Sequence, residues 1–382
     1  MRIVFISSMA AYPWGGSEEL WSQAATRLAG SGHQVVASVT HWPTLSPKVT
    51  ALKDHGIDLQ PRMPAPAPTL ALRIWRRLAR TKGVTPEQRD RAWLLRQKPD
   101  LVVISQGYIL DGLAWMKLCL EAGLPFIPIV QCNDQHWWPS DERCREAIPG
   151  YRGARQIFCV SQHNLKLLEY QLGELLPQAE VVWNPFNVPA ADPPAWPPET
   201  GVWKLACVGR IEPLSKGQDL LLEVLARPQW RERPVEVNLY GTGPWEEGMR
   251  RLATYLQLEK VHFRGHVTDI NQVWADNHLL VLPSRYEGLP LALVEAMWCG
   301  RPAVVTDVGG NAEMCVEGET GFIAAAPTAK LLEETMERAW NQRARWPALG
   351  RAARVRTEKL VPNDPVGDFI EKLKLKRVFG QD

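Results

Sequence analysis

The sequence lacks the features that mark several large classes of protein. Its seven cysteines lie far apart, with no Cys-x-x-Cys pair and none of the cysteine and histidine spacings of a structural zinc site. No apolar run approaches the roughly 18 residues of a membrane span, and the apolar start "IVFI" is too short for a signal peptide. These absences predict a cytoplasmic protein with reduced thiols, whose contact with a membrane would be peripheral.

Net charge and length further limit the class of protein and the number of domains. The formal net charge is only +2, with 45% hydrophobic and 23% charged residues, which is typical of a globular protein and not of a disordered or nucleic-acid-coating one. No nucleic acid partner is therefore expected. Because 382 residues are too many for one ordinary core, we expect two domains of roughly 150–200 residues with a cleft between them.

Short aliphatic and β-branched runs alternate with segments of helical periodicity along both halves of the chain. This alternation predicts an α/β fold of two doubly wound, Rossmann-like domains, each with a parallel sheet covered on both faces. The strands are predicted at 2–8, 35–40, 101–105, 125–131, 156–161, 180–184, 204–209, 235–241, 261–265, 279–284 and 302–308.

A proline-rich stretch without periodicity indicates where the first domain ends and the second begins. The stretch 188–201 holds five prolines and no periodicity, so it is predicted to be the linker. It separates a first domain, 1–187, from a second domain, 202–362. The closing segment, 363–382, is predicted to be a helix that packs back on the first domain.

The stretch "YEGLPLALVEAMWCG" (286–300) places a glutamate on each side of a helix start. A strand is predicted to end near Ser284 and a helix to begin near Pro290, because proline suits the first helical turn. Amides at a helix N-terminus bind anions or hydroxyls. Since a carboxylate only accepts hydrogen bonds, Glu287 and Glu295 are expected to hold sugar or ribose hydroxyls. The helix-start amides are those of Gly288, Leu289 and Leu291.

Cations and glycines follow the first two strands of the second domain, at the sheet edge where open α/β folds bind ligands. "GRIEPLSKGQD" carries Arg210 and Lys216 in a loop, and "GTGP" carries Gly241 and Gly243 in a turn. The arginine and lysine favour a phosphate site. The Gly-x-Gly turn alone is a weak signal, because ordinary turns carry it too.

These motifs together resemble a known family. The ordered set "GRIEPLSKGQD", "GTGP", "RGHV", "SRYEGLPLALVEAM", "GRPAVVTDVGG" and "GETGFI" closely resembles glycosyltransferase family 4, the group 1 glycosyltransferases. Members are retaining, nucleotide-sugar-dependent enzymes of GT-B fold, in which two Rossmann-like domains face each other across a cleft. The resemblance covers nearly the whole chain and is strongest from about 203 to 325, and "EGLPLALVE" is the family's Glu-x7-Glu element.

The resemblance implies a role for each motif residue. Arg210 and Lys216 would bind the donor diphosphate and stabilise the charge that develops as it leaves. Glu295 would hold the ribose hydroxyls, and Glu287, with the helix-start amides, would grip the donor sugar and its distal phosphate. The catalytic set is then Arg210, Lys216 and Glu287. The donor-binding set is Gly15, Gly16, Gly241, Gly243, His266, Val267, Gly288, Leu289, Pro290, Leu291 and Glu295.

The sequence departs from common family patterns at two points. The loop from Arg210 to Lys216 is one residue longer than in many members. No Asp-x-Asp pattern occurs, so the usual carboxylate pair for a nucleotide-bound divalent cation is missing. With Arg210 and Lys216 in place of the cation, the resemblance implies transfer without a metal or any other cofactor.

The first domain is expected to supply the acceptor side. In the family, a glycine pair such as Gly15 and Gly16 faces the donor phosphates and the acceptor across the cleft, and Ser17 is expected to cap the helix that follows. A plain βα turn is the alternative interpretation of the pair.

The reacting sugar has several candidate contacts in the first domain. Many members carry a histidine after the fourth main strand, but here Ser105 and Gln106 stand at that place. His136 is a candidate substitute, and a structural role is its alternative. Tyr108 and Trp137 are candidates for stacking on an acceptor sugar; in a chain with 17 tryptophans, ordinary packing is the alternative.

A basic amphipathic segment, 70–82, alternates arginines with apolar residues at helical spacing. Such a helix binds an anionic membrane surface, as this region does in related enzymes with lipid-linked acceptors, or simply presents a solvated face. Both interpretations stay open, so the acceptor is expected to be a sugar or a lipid-linked sugar.

The predicted function is transfer of a sugar from a UDP- or GDP-sugar to an acceptor hydroxyl with retention, in glycan, polysaccharide or glycolipid synthesis. One alternative is a nucleotide-sugar epimerase of GT-B architecture, which would need acid and base residues at the sugar. Another is a non-catalytic nucleotide-sugar or carbohydrate-binding protein, against which the intact Arg210, Lys216 and Glu295 argue. A dinucleotide dehydrogenase is excluded because no Gly-x-Gly-x-x-Gly follows the first strand.

Overall fold

A seven-stranded parallel sheet forms the first domain. The computed structural model describes residues 1–10, 12–62, 85–188 and 193–375. The strands are β1 (Arg2–Ser7), β2 (Gln34–Thr40), β3 (Asp58–Arg62), β4 (Leu101–Gln106), β5 (Phe126–Val130), β6 (Ile157–Cys159) and β7 (Ala179–Val181). They lie in the order β3-β2-β1-β4-β5-β6-β7. Every pairing is parallel, and the order reverses between β1 and β4, which makes the sheet doubly wound.

Helices cover both faces of this sheet. They are α1 (Ser17–Gly30), α2 (Pro47–Thr50), α3 (Pro86–Gln97), α4 (Leu113–Ala122), α5 (Asp141–Gly153) and α6 (Gln162–Leu172), with short 3-10 turns at Lys53–His55 and Gln135–Trp137. One face packs its apolar side chains around Phe5, Trp21 and Ile127, and the other around Ile104, Met116 and Tyr151. Burial on both faces explains why the strands read as continuous apolar runs.

The second domain repeats this plan with six parallel strands. They are β8 (Trp203–Val208), β9 (Val235–Tyr240), β10 (Val261–Gly265), β11 (Leu279–Leu282), β12 (Ala303–Thr306) and β13 (Gly321–Ala324). Their order is β10-β9-β8-β11-β12-β13. The helices are α7 (Pro213–Lys216), α8 (Gln218–Leu225), α9 (Pro228–Glu232), α10 (Glu246–Tyr255), α11 (Ile270–Asp276), α12 (Leu291–Trp298), α13 (Asn311–Met314), α14 (Ala329–Asn341) and α15 (Trp346–Leu360), with a 3-10 turn at Arg343–Arg345.

The predicted fold class is confirmed, and each predicted strand overlaps an observed one. Two strands were not predicted, β3 and β13, and both lie at a sheet edge. β3 reads "DLQPR", with a proline that an edge strand tolerates and too few apolar residues to be recognised. β13 has only four residues. Among the described helices, none is long and apolar enough to cross a membrane.

Two segments connect the domains, and each is attached firmly on one side. Arg301, which is buried in the second domain, donates hydrogen bonds to the carbonyl oxygens of Pro194 (3.2 Å) and Ala195 (2.6 Å) in the linker. After α15 the chain returns to the first domain as α16 (Pro365–Lys372), where Lys372 Nζ donates to the Val181 carbonyl oxygen over 3.1 Å.

The aromatic ring of Phe369 anchors α16 in the core of the first domain. Phe369 is fully buried, and its ring centroid lies 5.3 Å from that of Phe158 in an edge-to-face contact. We expect Phe369→Ala to lower the free energy of unfolding of the first domain by about 3–5 kcal/mol, because it leaves a large cavity. Urea titration followed by tryptophan fluorescence measures this. Tyr170→Ala, at an exposed site, should change it by less than about 0.5 kcal/mol, and equal effects of the two changes would contradict the assignment.

Candidate functional site

Two helices of different domains point their N-termini at each other across the cleft. α1 has Gly16 at its cap position and no side chain capping it, so Ser17 begins the helix and does not cap it as expected. α12 begins at Leu291, and a Cβ built on Gly16 would lie 3.4 Å from the Leu291 side chain. Within the described ranges, the N–H groups of Ser17 and Leu291 have no hydrogen-bond acceptor. Such amides make this part of the cleft suitable for an anion or a hydroxyl.

Contacts between main chains fix the loop that carries Arg210. A Cβ built on Gly241 would lie 2.0 Å from the Gly209 carbonyl oxygen, and Gly241 has a φ of 127°. A Cβ built on Gly243 would lie 2.2 Å from the Ile211 carbonyl oxygen. Only glycine allows the loop after β9 to approach so closely. In the structure these two glycines therefore support the Arg210 loop.

Lys216 and Glu287 form an ion pair between two loops of the second domain. Lys216 Nζ lies 2.6 Å from Glu287 Oε1, and the Ser284 hydroxyl donates to the same oxygen over 2.7 Å. Both side chains are mostly buried, at 23% and 7% exposure. The other oxygen of Glu287, Oε2, accepts no hydrogen bond from the residues that the structure describes. It is therefore available to a ligand hydroxyl.

Glu295 lies inside α12 and is almost fully buried. Its Oε1 accepts a hydrogen bond from the backbone N–H of Asn187 (3.1 Å) and lies 3.5 Å from the Asn187 side-chain nitrogen. Burial raises the pKa of Glu295 above its ordinary value, whereas the bonds from Asn187 oppose that rise. Asn187 stands between β7 and β8, so this carboxylate is held by the segment that connects the two sheets.

The domains contact each other through the backbone at Gly288. A Cβ built on Gly288 would lie 1.9 Å from the Gln131 carbonyl oxygen and 2.9 Å from the Val160 side chain, both in the first domain. The carbonyl oxygen of Gly288 accepts a hydrogen bond from Gly310 N over 2.7 Å. Gly288 thus sits between the two domains, next to the glutamate pair. Leu289 is buried beside it, and Pro290 occupies the cap position of α12.

Arg210 extends across the cleft to the first domain. Its guanidinium carbon lies 3.5 Å from the ring centroid of Tyr12, and its Nη1 lies 3.5 Å from Glu212 Oε2. A Cβ built on Gly15 would lie 3.4 Å from Arg210 Nη2. Each member of the Gly15–Gly16 pair therefore faces a predicted donor residue of the second domain.

Aromatic side chains of both domains meet at Tyr286, the residue before Glu287. The Trp137 ring centroid lies 5.3 Å from that of Tyr108 and 4.5 Å from that of Tyr286, in edge-to-face contacts. Trp137 is therefore packed between two tyrosines. Trp138, the next residue, is 59% exposed and keeps a free ring face.

His136 is held by a neighbouring carboxylate. Its Nδ1 lies 2.6 Å from Oδ1 of Asp134, whose carboxylate also accepts the backbone N–H of His136. The His136 side chain is 81% exposed, so its other ring nitrogen reaches solvent.

The two residues at the place of the family histidine are used inside the first domain. The Ser105 hydroxyl donates to the Ser17 carbonyl oxygen over 3.3 Å. Gln106 is fully buried, its amide nitrogen donates to the Asp111 carbonyl oxygen, and its oxygen accepts from the Tyr151 hydroxyl over 3.2 Å. In this structure Gln106 therefore has no side-chain group free for a sugar, contrary to the expectation.

His266 and Val267 lie in the loop after β10, beside the Gly241 turn. Gly241 N donates to the Gly265 carbonyl oxygen over 2.7 Å, which joins the two loops. His266 is exposed, and Val267 packs at the edge of the second domain's core.

The segment 70–82 lies outside the described residues. Among the residues described, no group of three or more His, Cys, Asp or Glu side chains could hold a metal ion, and metal independence stays a prediction.

Glu18 is a buried carboxyl group close to the glycine pair. It accepts hydrogen bonds from the Ser7 hydroxyl (3.1 Å) and the Trp21 indole N–H (3.0 Å). Burial raises its pKa to about 7, although these bonds and the charge of Arg62 oppose the rise.

Several residues at the cleft were not predicted as site residues from the sequence. Tyr12, Glu212, Tyr286, Gln131 and Asn187 reach it only because the two domains come together. Of these, Glu212 and Tyr286 adjoin predicted residues within the quoted motifs. For these two residues, the position of an aromatic or acidic side chain close to a predicted site residue could have indicated a place at the cleft.

Comparison with known proteins agrees with this geometry. The profile of the family described as "Glycosyl transferases group 1" matches residues 203–342, which include Arg210, Lys216, Glu287 and Glu295. Residues 203–342 are therefore similar to the group 1 glycosyltransferases. The resemblance of the sequence motifs to this family is thereby confirmed.

Relatives with curated names match part of the chain. A D-inositol 3-phosphate glycosyltransferase of Gordonia bronchialis is 32% identical over 167 residues, 40% of this chain and 36% of that protein. A lipopolysaccharide core biosynthesis mannosyltransferase of Rhizobium meliloti, LpsB, is 32% identical over 166 residues, 41% of this chain and 46% of the relative. The chain therefore matches less than half the length of each relative.

Solved structures match nearly the whole chain in fold. HepE of Anabaena in complex with UDP superposes with a TM-score of 0.74 at 19% identity, covering 98% of this chain and 100% of that chain. WaaG, a glycosyltransferase involved in lipopolysaccharide biosynthesis, has a TM-score of 0.67 at 17% identity, covering 97% of this chain and 98% of that one. The fold of this chain is GT-B.

The backbone contact at Gly288 predicts how the cleft can be opened. We expect Gly288→Ala to separate the domains without unfolding them, since its Cβ would meet the Gln131 carbonyl oxygen at 1.9 Å. Small-angle X-ray scattering should then show a larger radius of gyration. In Gly248→Ala, the matched control, the new Cβ would have its nearest neighbour at 3.9 Å and should leave the scattering unchanged. Identical scattering from both variants would show that the contact does not set the domain arrangement.

The buried carboxyl of Glu18 predicts a pH dependence of stability. An ordinary glutamate has a pKa of 4.5, whereas Glu18 has one of about 7, so between these values the folded protein holds a proton that the unfolded chain has lost. The free energy of unfolding should therefore fall as pH rises through this window, by about 3 kcal/mol for a gap of about 2.5 pH units. We expect Glu18→Gln to lack this fall, because an amide does not titrate.

Urea titrations at pH 5, 6, 7 and 8 compare the two proteins. Their free energies of unfolding should diverge with rising pH, with Glu18→Gln the more stable at pH 8. The pKa of Asp111 is raised by burial to about 6, but Asp111 titrates in both proteins and so cancels in the difference. Parallel pH profiles would contradict the raised pKa of Glu18.

Proposed function

We propose that the protein is a retaining glycosyltransferase that moves a sugar from a UDP- or GDP-sugar to an acceptor hydroxyl without a bound metal ion. The observation that carries the proposal is the combination at the cleft of two uncapped helix N-termini, two cations and two buried glutamates. Arg210 and Lys216 supply positive charge beside the amides that begin α1 and α12. A diphosphate and the hydroxyls of a sugar nucleotide are the chemical groups that suit this combination.

Each glutamate has a separate part in holding the donor. Glu287 keeps Oε2 for a hydroxyl of the donor sugar, while Lys216 and Ser284 hold its Oε1. Glu295, held by Asn187 on Oε1, accepts the ribose hydroxyls. A hydrogen bond to a charged acceptor contributes roughly 1.5–3 kcal/mol. The donor would thus lie along α12, with its nucleoside toward Glu295 and its sugar toward Glu287.

Transfer then needs charge stabilisation and no side-chain base. The bond from the anomeric carbon to the diphosphate breaks, and Arg210 and Lys216 stabilise the negative charge that develops on the departing oxygen. The acceptor oxygen bonds to the same face of the sugar, and its proton passes to the phosphate oxygen. The configuration at the anomeric carbon is therefore retained.

The names of similar proteins support the donor class and the setting. HepE has been crystallised with UDP and with UDP-glucose, and the named relatives include a mannosyltransferase of lipopolysaccharide core biosynthesis. We extend these to this chain as a nucleotide-sugar donor and a glycan, polysaccharide or glycolipid acceptor. Peripheral membrane contact through residues 70–82 rests on the sequence pattern alone and belongs to this proposal.

A donor screen tests the function as a whole. UDP- and GDP-linked hexoses and N-acetylhexosamines are compared by thermal shift and by slow hydrolysis, once with EDTA and once with added Mg²⁺ or Mn²⁺. We expect one donor to raise the melting temperature and to be hydrolysed. If no sugar nucleotide stabilises the protein or is hydrolysed, the proposed function is wrong, and hydrolysis that needs a divalent cation would refute metal independence.

Two substitutions test the site. We expect Lys216→Ala and Glu295→Ala each to lower turnover by about 10²–10³-fold, because each removes a charged group that contacts the donor. Circular dichroism should show that both variants remain folded. The matched controls are Lys166→Ala and Glu223→Ala, which change exposed residues of α6 and α8. Unchanged turnover in either site variant would refute the assignment of that residue.

A further inference from the structure

Tyr12 belongs to the first domain, but both of its functional groups contact the second. Its ring centroid lies 3.5 Å from the guanidinium carbon of Arg210. Its hydroxyl donates to Glu212 Oε1 over 2.8 Å. This residue therefore spans the cleft at the position of the predicted catalytic arginine.

Glu212 joins Tyr12 to the Arg210 loop. Its Oε2 accepts a hydrogen bond from the Ser215 hydroxyl over 2.8 Å and lies 3.5 Å from Arg210 Nη1. The Glu212 side chain is only 13% exposed, so its carboxylate is held in place by these partners. Burial and the hydrogen bond to Glu212 raise the pKa of Tyr12 above its ordinary value, which keeps the phenol protonated as a donor.

The contacts of Arg210 leave the edge of its guanidinium available. Tyr12 covers one face of the planar group, and stacking on a ring face uses none of the five N–H donors. Within the described part of the chain, the one hydrogen bond that the Arg210 side chain donates is the long one to Glu212. Its Nη2 lies beside Gly15, next to the uncapped start of α1. The free donors thus lie where the two helix N-termini meet.

We propose that Tyr12 and Glu212 form a cross-cleft clamp that positions the Arg210 guanidinium for the donor diphosphate when the domains are closed. The proposal deepens the proposed function and rests on it. Tyr12 is a positioning residue, which acts through the ring face that it presents to Arg210. Glu212 fixes the phenol and, with Ser215, ties it to the loop.

The clamp makes the first domain contribute to diphosphate binding without contacting the nucleoside. In an open cleft Arg210 has no aromatic face to stack on, and its long side chain samples other rotamers. Closure restores the stack and so reduces the entropy that the diphosphate must remove on binding. Because Arg210 is assigned to the diphosphate, we expect this effect on the affinity for a nucleoside diphosphate and not on the affinity for a monophosphate.

Nucleotide binding by calorimetry tests the clamp, with UDP and UMP as probes and GDP and GMP in parallel. The variants are Tyr12→Leu, which removes the aromatic face, and Tyr12→Phe, which keeps the face and removes only the hydroxyl. Arg210→Ala is the positive control, and Tyr170→Leu, at an exposed tyrosine of the first domain, is the matched negative control. Melting temperatures show whether each variant is folded.

We expect Tyr12→Leu to weaken diphosphate binding about tenfold and to leave monophosphate binding unchanged, as loss of a desolvated cation–π contact implies. Tyr12→Phe should lose no more than about threefold, since the ring face remains. A role that is merely structural would weaken both nucleotides alike. Diphosphate affinity that falls in Arg210→Ala but not in Tyr12→Leu would overturn the clamp and leave the proposed function intact. A wild-type protein that binds neither UDP nor GDP would overturn the proposed function, and the clamp with it.

Discussion

The meeting of two helix N-termini is the constraint on which the rest of the site depends. α1 and α12 come from different domains and leave their first amides without capping side chains, at Gly16 and Leu291. The positive ends of two helix dipoles repel each other unless negative charge lies between them. In this structure the carboxyl groups of Glu18 and Glu19 lie in the first turn of α1, and Glu287 lies just before α12. An anionic ligand would place negative charge between the two helix ends while neutralising Arg210 and Lys216 as well.

Each buried glutamate of the pair Glu287 and Glu295 has a polar partner. Lys216 and Ser284 donate hydrogen bonds to Glu287, and Asn187 donates one to Glu295. A buried charge without such partners would cost several kcal/mol. The partners use only Oε1 in each of these two glutamates, so one oxygen of each stays open to the cleft. The same hydrogen bonds thus stabilise these carboxylates and orient their other oxygens.

The sequence predicted the fold class and the strand ends that carry the second-domain motifs, because both are local. Strands buried on both faces read as apolar runs, and the residues Arg210, Lys216, Glu287 and Glu295 lie in short motifs at strand ends. The edge strands β3 and β13 were not found, since an edge strand needs little apolar sequence.

Contacts between the domains were not predictable from pattern. Tyr12 and Glu212 are 200 positions apart, and nothing in either neighbourhood indicates the other. Gln106 fitted the position of the family histidine, yet tertiary packing directs its amide to Asp111 and Tyr151 inside the first domain. Sequence position alone could not distinguish a side chain that faces the cleft from one that faces the core.

The side chains that we propose to contact the donor are less exposed than those that we propose to contact the acceptor. Glu287 and Glu295 are buried, and the glycines beside them contact backbone atoms, so changes there disturb several contacts at once. His136 and Trp138 are largely exposed on a loop of the first domain, with few neighbours to disturb. Substitutions at such positions usually cost little stability. Substitutions in this loop can therefore alter the cleft surface while the buried glutamates and the fold stay as they are.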